Sequence, residues 1–327
     1  MEKWTKNLKG LRKVFLLLQI QTKKTIIFLG VTKMGEKDLA QKTLEAYNDV
    51  FADIVNVLLF DGKQLVKEDE LEQESPESIY KVDGKLHELK RDVAKYWKHN
   101  NIRIALVGLE NQIETDKYMP IRVMSYDAAA YRQQLLNQYE TDPETGKQVK
   151  KKNTDPIYPV VTMVLYFGNI PWKKFKTLLD IVEVPEELKP FVSDYKTNIF
   201  EIAWLSKEQV ELFKSDFKIV ADYFVQMRTN KDYKPSQQII KHVNEVLQLM
   251  SVFTNDNTFE EYQNHFINKG EEVTMSGILD KAEARGELNI LYKQIKDGLI
   301  TVEQAAKYIN KTVQELLDGF KEYNLIL

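Results

Sequence analysis

Between Asp38 and Phe60 the apolar positions Leu39, Leu44, Tyr47, Val50, Phe51, Ile54, Val55 and Leu58 recur at three- and four-residue steps, which predicts a helix with one buried face. "FDGK" at Phe60–Lys63 ends it. The charged stretch "KEDELEQESPES" has no period and reads as surface loop to about Tyr80, with room for one helical turn. The period then changes to two. "KLHELKRDVAKYWK" and "IRIALVGLENQ", separated by the turn-prone triplet "HNN", predict two strands of a hairpin. In the second, Ile102, Ile104, Leu106, Gly108, Glu110 and Gln112 share one face, and Arg103, Ala105, Val107 and Leu109 the other; both are largely apolar, as in a central strand. "MPIRVMSYDAAAYRQQLLNQYE" predicts a helix after Pro120, with Arg122, Tyr126 and Gln133 along one side. "TDPETGKQVKKKNTDP" reads as a polar loop. "YPVVTMVLYFGNIPW" is the strongest strand of the chain, almost without charge and therefore central, while "NIFEIAWLS" reads as an edge or final strand. Strands interleaved with helices over Asp38–Ser206 predict one α/β domain around a mixed sheet. Beyond it, "KEQVELFKSDFKIVADYFVQM" and "SQQIIKHVNEVLQLMSVF" have helical spacing. The capping boxes Thr301-x-x-Gln304 and Thr312-x-x-Glu315 predict two short helices joined by a tight turn. No internal repeat is visible.

Upstream, "KVFLLLQIQTKKTIIFLGV" is interrupted by Gln19, Gln21, Lys23 and Lys24, so it falls short of the ~20 apolar residues of a membrane span. As a signal peptide it lacks a small-residue cleavage site. "MGEKDLAQ" from Met34 reads as a natural amino terminus, so residues 1–33 read as an over-extended start or a loosely attached segment, and a cytoplasmic protein with no membrane partner is expected. Forty-six basic against 49 acidic side chains leave a net charge of −3, so a polyanion would have to meet a local patch instead of a whole-chain field. Cysteine is absent and the four histidines (His87, His99, His242, His265) have no paired spacing, which excludes disulfides, thiolate zinc sites, iron–sulfur clusters and cysteine nucleophiles. Any metal must be a hard cation on oxygen ligands. No phosphate-binding glycine loop occurs, which argues against a nucleotide-driven motor.

Asp92 stands at the front of the first hairpin strand, and Glu110 and Gln112 at the end of the next. In an antiparallel pair those ends lie side by side, so the two carboxylates can converge on one cation with the amide just beyond. Two carboxylates, waters and substrate phosphate oxygens suit Mg²⁺. Asp49 or Asp53 on the preceding helix could complete the pocket. The plainer reading is that polar residues close two strands at a sheet rim, and that Asp49 and Asp53 line a solvated helix face. Lys150, Lys151 and Lys152 read either as phosphate contacts or as a solvated run, and His87 and His99 as surface residues.

The ordered set "YNDVFADIVNVLLFDGK", "ELKRDVAKYW", "IRIALVGLENQ", "MPIRVMSYDAAAYRQQL" and "YPVVTMVLYFGNIPW", with the tail "LYKQIKDGLITVEQAAKYI", resembles the Rpn family of recombination-promoting nucleases, also described as transposases, within the PD-(D/E)XK superfamily. The resemblance covers roughly Met34 to the carboxyl end. It implies a restriction-endonuclease-like mixed sheet flanked by helices, a helical carboxyl-terminal region after Ser206, and hydrolysis of DNA phosphodiesters with Mg²⁺ or Mn²⁺. On the matching positions Asp92 takes the first acid of the motif, Glu110 the second and Gln112 the place of the motif lysine. The proline before the first acid is replaced by Arg91. Glutamine can hydrogen-bond a water but brings no positive charge. Arg122, Tyr126 and Gln134 match positions that face substrate phosphates.

The tail from Thr301 to Leu327 carries Lys307, Lys311 and Lys321 against Glu303, Glu315, Asp318 and Glu322, which suits protein contact better than a DNA-reading helix-turn-helix. A homodimer would place one site on each strand of a duplex. The expectation is a metal-dependent DNA endonuclease linked to recombination or mobile elements. The alternative is a DNA-binding or assembly protein of the same fold that has lost catalysis through Gln112.

Overall fold

The structure, a computed structural model, describes residues 44–73, 77–82, 85–99, 102–152, 154, 156–230, 233–254, 272–323 and 325. The expectations for residues 1–33, for the start at Met34, for the first turn of the helix from Asp38 and for Asn100 and Asn101 of the hairpin turn lie outside the described residues.

Helix α1 runs Asn48–Phe60, later than the apolar period suggests. Tyr47 takes an extended backbone at φ −70° and ψ 135°, and its ring stacks on His242 at 3.7 Å. The helix ends where "FDGK" predicts. Asp61 and Gly62 turn left-handed at φ 52° and 81°, and the Gly62 N–H returns to the Asn56 carbonyl.

Five strands form the main sheet in the order β1 (Leu71–Gln73), β4 (Val93–His99), β5 (Ile102–Gln112), β8 (Val160–Tyr166), β9 (Asn198–Glu201). The first three pair antiparallel and the last three parallel, with helix α2 (Met119–Leu136) connecting β5 to β8. This is the expected mixed sheet flanked by helices, with the two apolar runs at its centre and "NIFE" at its edge. One face packs Ala105, Val107, Leu109, Met163 and Leu165 against α1. On the other, Ala94, Leu106 and Val160 meet Ala130 of α2, while Val164 and Tyr166 meet Met119 and Val123.

The segment expected to be loop with one helical turn up to Tyr80 has that turn, a 3₁₀ turn at Glu68–Glu70, but continues as β1 and then β2 (Glu77–Val82), which pairs with β3 (Lys85–Lys90) in a separate two-stranded sheet. Pairing overrides propensity here. The Asn48 amide donates to the Glu68 and Leu71 carbonyls and holds the segment against the sheet, and Glu72 on the edge strand meets Lys98 and Arg103. "KLHELKRDVAKYWK" accordingly splits into β3 and β4 at Arg91–Asp92. The polar loop after α2 also closes into a short exposed hairpin, β6 (Tyr139–Thr141) with β7 (Gln148–Lys150).

The apolar period from Lys207 breaks into α3 (Lys207–Leu212) and α4 (Phe217–Thr229). Between them the Lys214 and Ser215 amides donate to the Asp53 carboxylate at 2.8 and 2.7 Å, so side-chain bonds replace the helix ladder. Asp216 takes the Lys241 and His242 amides in the same way, and α5 begins only at Val243, ending at Thr254. Helices α6 (Met275–Lys296), α7 (Val302–Tyr308) and α8 (Val313–Glu322) follow. Both predicted capping boxes form: Thr301 with Gln304 and Thr312 with Glu315 exchange reciprocal bonds.

The main buried cluster extends from Leu44 to Ile278, so α4, α5 and the start of α6 share one core with α1 and the sheet. A second, smaller cluster of Leu288, Leu291, Ala305, Ala306, Leu316 and Phe320 closes the last three helices on each other. The packing therefore divides within α6, not at Ser206. Among the described residues no helix is long and apolar enough to cross a membrane.

Candidate active site

Strands β5 and β8 run parallel and end together, Gln112 opposite Tyr166, at the kind of carboxyl edge where open α/β sheets collect ligands. Asp92 extends the β4–β5 ladder by one residue, its N–H donating to the Leu109 carbonyl at 3.1 Å. Asp92 stands one step beyond the Val93–Leu109 pair, beside Glu110, and its charge acts on the Tyr126 hydroxyl of α2. The Asp92 Oδ2 accepts the Asn111 N–H at 2.7 Å, which ties the two strand ends together. The structure thus places Asp92 beside the end of β5 that carries Glu110 and Gln112.

Glu110 is 3% exposed. Its Oε1 accepts from the Gln112 amide at 3.3 Å and pairs with Arg122 Nη2. Arg122 also holds Asp116 at 3.0 Å through Nη1 and donates to the Tyr126 hydroxyl at 3.2 Å. Pro120 in the first turn of α2 needs no amide partner, and Met119 and Val123 bury against Val164, Tyr166 and Trp172. That anchoring aims Arg122 and Tyr126, four residues apart, at the strand ends. Burial alone would lower the basicity of Arg122, but the Glu110 carboxylate together with Tyr126 and Asp116 more than offsets it and the guanidinium is held charged. Burial, reinforced by the charges of Glu110 and Asp92, raises Tyr126, which stays protonated at neutral pH.

A sealed network lies deeper on the same face. Arg91 pairs with Asp127 at 2.9 Å and donates through Nε to Thr162 at 3.1 Å; Thr162 donates to Asp127 at 2.5 Å, and the Tyr195 hydroxyl donates to the other Asp127 oxygen. Burial, then the bond to Asp127, raises the Tyr195 hydroxyl. Gly108 makes the space, since a Cβ there would stand 2.3 Å from the Arg91 Cδ. The motif proline's place is therefore filled by an arginine whose buried bonds to Asp127 and Thr162 fix the chain just before Asp92.

Three predicted residues sit elsewhere. Gln134 is buried with both ends of its amide on the Tyr158 backbone, at 3.1 and 2.9 Å, so it braces the approach to β8 and faces no ligand. Asp49 is held by Lys241 at 2.8 Å and His242 at 3.1 Å, and Asp53 caps the 214–215 amides. Two acids that sequence reasoning passed over are engaged instead. Glu45, 2% exposed, accepts the Asn111 side-chain amide at 2.8 Å from the α1 side. Asp116 positions Arg122. Glu45 lies one helical step before Asp49 in the same apolar pattern, a signal that could have drawn attention to it. His99 is exposed beside Glu70, as a surface residue should be.

The donors at the site are carboxylate, amide and hydroxyl oxygens. Among the described residues no group of three His, Cys, Asp or Glu is gathered for a metal. Two carboxylates with the remaining positions left to water and phosphate fit a hard divalent cation of the Mg²⁺ kind and exclude a thiolate or imidazole site.

A family model described as "Putative transposase, YhgA-like" matches residues 62–257, more than half of the chain. The chain belongs to this family. The YhgA-like match falls within the Rpn-like PD-(D/E)XK group that the sequence resembles, and ties the chain to a nuclease-like role connected with mobile elements. It contains Asp92, Glu110, Gln112, Arg122 and Tyr126, and begins only after α1. No curated protein and no solved structure matches the chain.

Proposed function

We propose that this YhgA-like chain is a Mg²⁺-dependent DNA endonuclease that hydrolyses phosphodiester bonds at the carboxyl edge of β5. The observation that carries the reading is the buried Glu110 carboxylate held by the part-exposed Arg122 guanidinium, at the strand end where the Asp92 carboxylate takes the Asn111 N–H. Asp92 and Glu110 would hold the cation, which when bound supplies Lewis acidity to the phosphate and a more acidic water. The chain's own groups do the rest. Arg122, with 39% of its side chain exposed, exchanges part of its contact with Glu110 for a non-bridging phosphate oxygen and offsets the charge that develops there. Tyr126 keeps its proton and can donate to the same phosphate or hold Arg122 in line. Gln112, bonded to Glu110, orients a water by hydrogen bonding but cannot remove its proton.

The test is nicking of supercoiled plasmid by the purified chain and by Asp92→Ala, with Mg²⁺ or with chelator. Cutting that requires both the ion and Asp92 is the expected result. The rival is a DNA-binding protein of the same fold without catalysis. It is favoured by the neutral Gln112 where the motif carries a lysine, and it gains if native and variant both bind DNA and neither cuts.

A further inference from the structure

Two loops meet at the mouth of the site, residues 113–118 between β5 and α2 and residues 167–176 after β8. The Phe167 N–H donates to the Gln112 carbonyl at 2.8 Å. Gly168 comes so close that a Cβ on it would stand 2.6 Å from the Ile113 carbonyl oxygen. Lys117 joins the outer ends, its ammonium 5.6 Å from the Tyr118 ring and 5.8 Å from the Phe175 ring.

The second loop is fixed at both ends. Trp172 is 1% exposed, lies edge-on to Tyr166 at 5.1 Å and donates its backbone N–H to Glu201 at 2.7 Å. Lys176 donates its N–H to Asp180 at 2.7 Å, and its carbonyl receives the Thr197 N–H at 2.9 Å. Between these anchors Phe175 holds a left-handed backbone at φ 61°, which a bulky residue adopts only when its surroundings impose it. The consequence is that Lys173 and Lys174 stand exposed on a braced turn.

The charges do not cancel. Arg122 answers Glu110 and Asp116, and Lys176 lies 3.6 Å from Glu201. Lys117, Lys173 and Lys174 make no ion pair among the described residues, and Glu114 is the one acid on these loops besides Asp116. A cleft built on Asp92 and Glu110 repels a polyanion unless cations flank it, and pre-positioned cations lose little freedom when they are engaged.

We infer that Lys117, Lys173 and Lys174 form the surface that grips the phosphodiester backbone of DNA beside the site. The inference rests on the nuclease reading for the identity of the polyanion. Its test is fluorescence anisotropy of the full chain with a labelled DNA duplex in chelator, from 50 to 200 mM salt, quantities on the scale over which phosphate contacts are lost. The variant replacing all three lysines by alanine should bind at least about tenfold more weakly at the lowest salt. Its plot of log affinity against log salt should be shallower by about 0.9 for each phosphate contact removed. The triple arginine variant should bind like the native chain. So should a control with alanine at Lys150, Lys151 and Lys152.

Native affinity and slope in the alanine variant, or no binding by the native chain at the lowest salt, overturns the inference. Plasmid nicking separates the two readings. A chain that nicks through Asp92 while the lysine variant binds like native keeps the nuclease and loses the rim. A chain that binds through the lysines but never nicks keeps the rim and loses the nuclease.

Discussion

Arg91 with Asp127 and Arg122 with Glu110 are the same chemical pair set at two depths on the α2 face of the sheet. In the first, both side chains are sealed, 5% and 7% exposed, and the donors and acceptors are taken up by Thr162 and Tyr195. In the second the carboxylate is as deeply buried, at 4%, but the guanidinium is 39% exposed and shared with Asp116. Depth decides what each can do. A closed pair with every group satisfied can hold strands and helix in register but can receive no ligand. An open guanidinium over a buried carboxylate is already desolvated on one side and reachable by an anion on the other.

Removing one member of the closed pair should give the largest effect. Asp127→Ala strands a buried guanidinium, and the unfolding free energy should fall by about 3–5 kcal/mol in urea titration. A loss below about 1 kcal/mol would mean that the network contributes no more than a surface pair. Arg122→Lys sharpens the contrast from the other side. It keeps a cation beside Glu110, so stability should stay within about 1 kcal/mol of native. Lysine cannot span Glu110, Asp116 and a phosphate as a planar fork does, so Mg²⁺-dependent nicking should drop roughly tenfold or more. Unchanged nicking with lowered stability would make the second pair structural like the first.

The smallest effect concerns Asp49, which is neither sealed nor at the site. Burial would raise its carboxyl, but the bonds from Lys241 and His242 more than offset this and hold it below the ordinary carboxylate value. A lowered folded value means that the stabilisation is complete above the unfolded value and is lost as pH falls through the folded one. Asp49→Asn should therefore lower stability at neutral pH by a small amount, up to about 1 kcal/mol, and the native and variant curves should converge as pH falls below about 4, so the acid limb of the variant is flatter. An identical acid limb in native and variant chains would show that the contact carries no linkage.

The legibility of these features in sequence follows from how local their causes are. β5 and β8 could be read because "IRIALVG" and "VVTMVLY" are apolar on both faces, and the tail helices because each capping box is complete within four residues. The placing of Asp92 beside Glu110 could be read because a tight antiparallel pair brings fixed offsets together. β1 and β2 could not, since charged strands are selected by the partners they meet and carry no period of their own, and β3 could be read only as the front of one long strand with β4. Gln134 is set facing substrate by the family resemblance and not by the helix pattern, and its amide is instead engaged by the backbone of Tyr158, 24 residues on. Local pattern also marks helix acids as solvated or as ligands and cannot foresee that Asp53 serves as a cap for a distant loop.

That cap has a consequence for how the chain comes into being. Asp53 receives its amide partners from residues 161 and 162 positions later, at Lys214 and Ser215. A ribosome adding about 5–20 residues per second needs roughly ten to thirty seconds to deliver them. Throughout that interval α1 carries an acid whose native partner has not been made, and the apolar side of the sheet lacks α4 and α5. The fold is closed late, by a segment that lies downstream of every residue proposed for the chemistry.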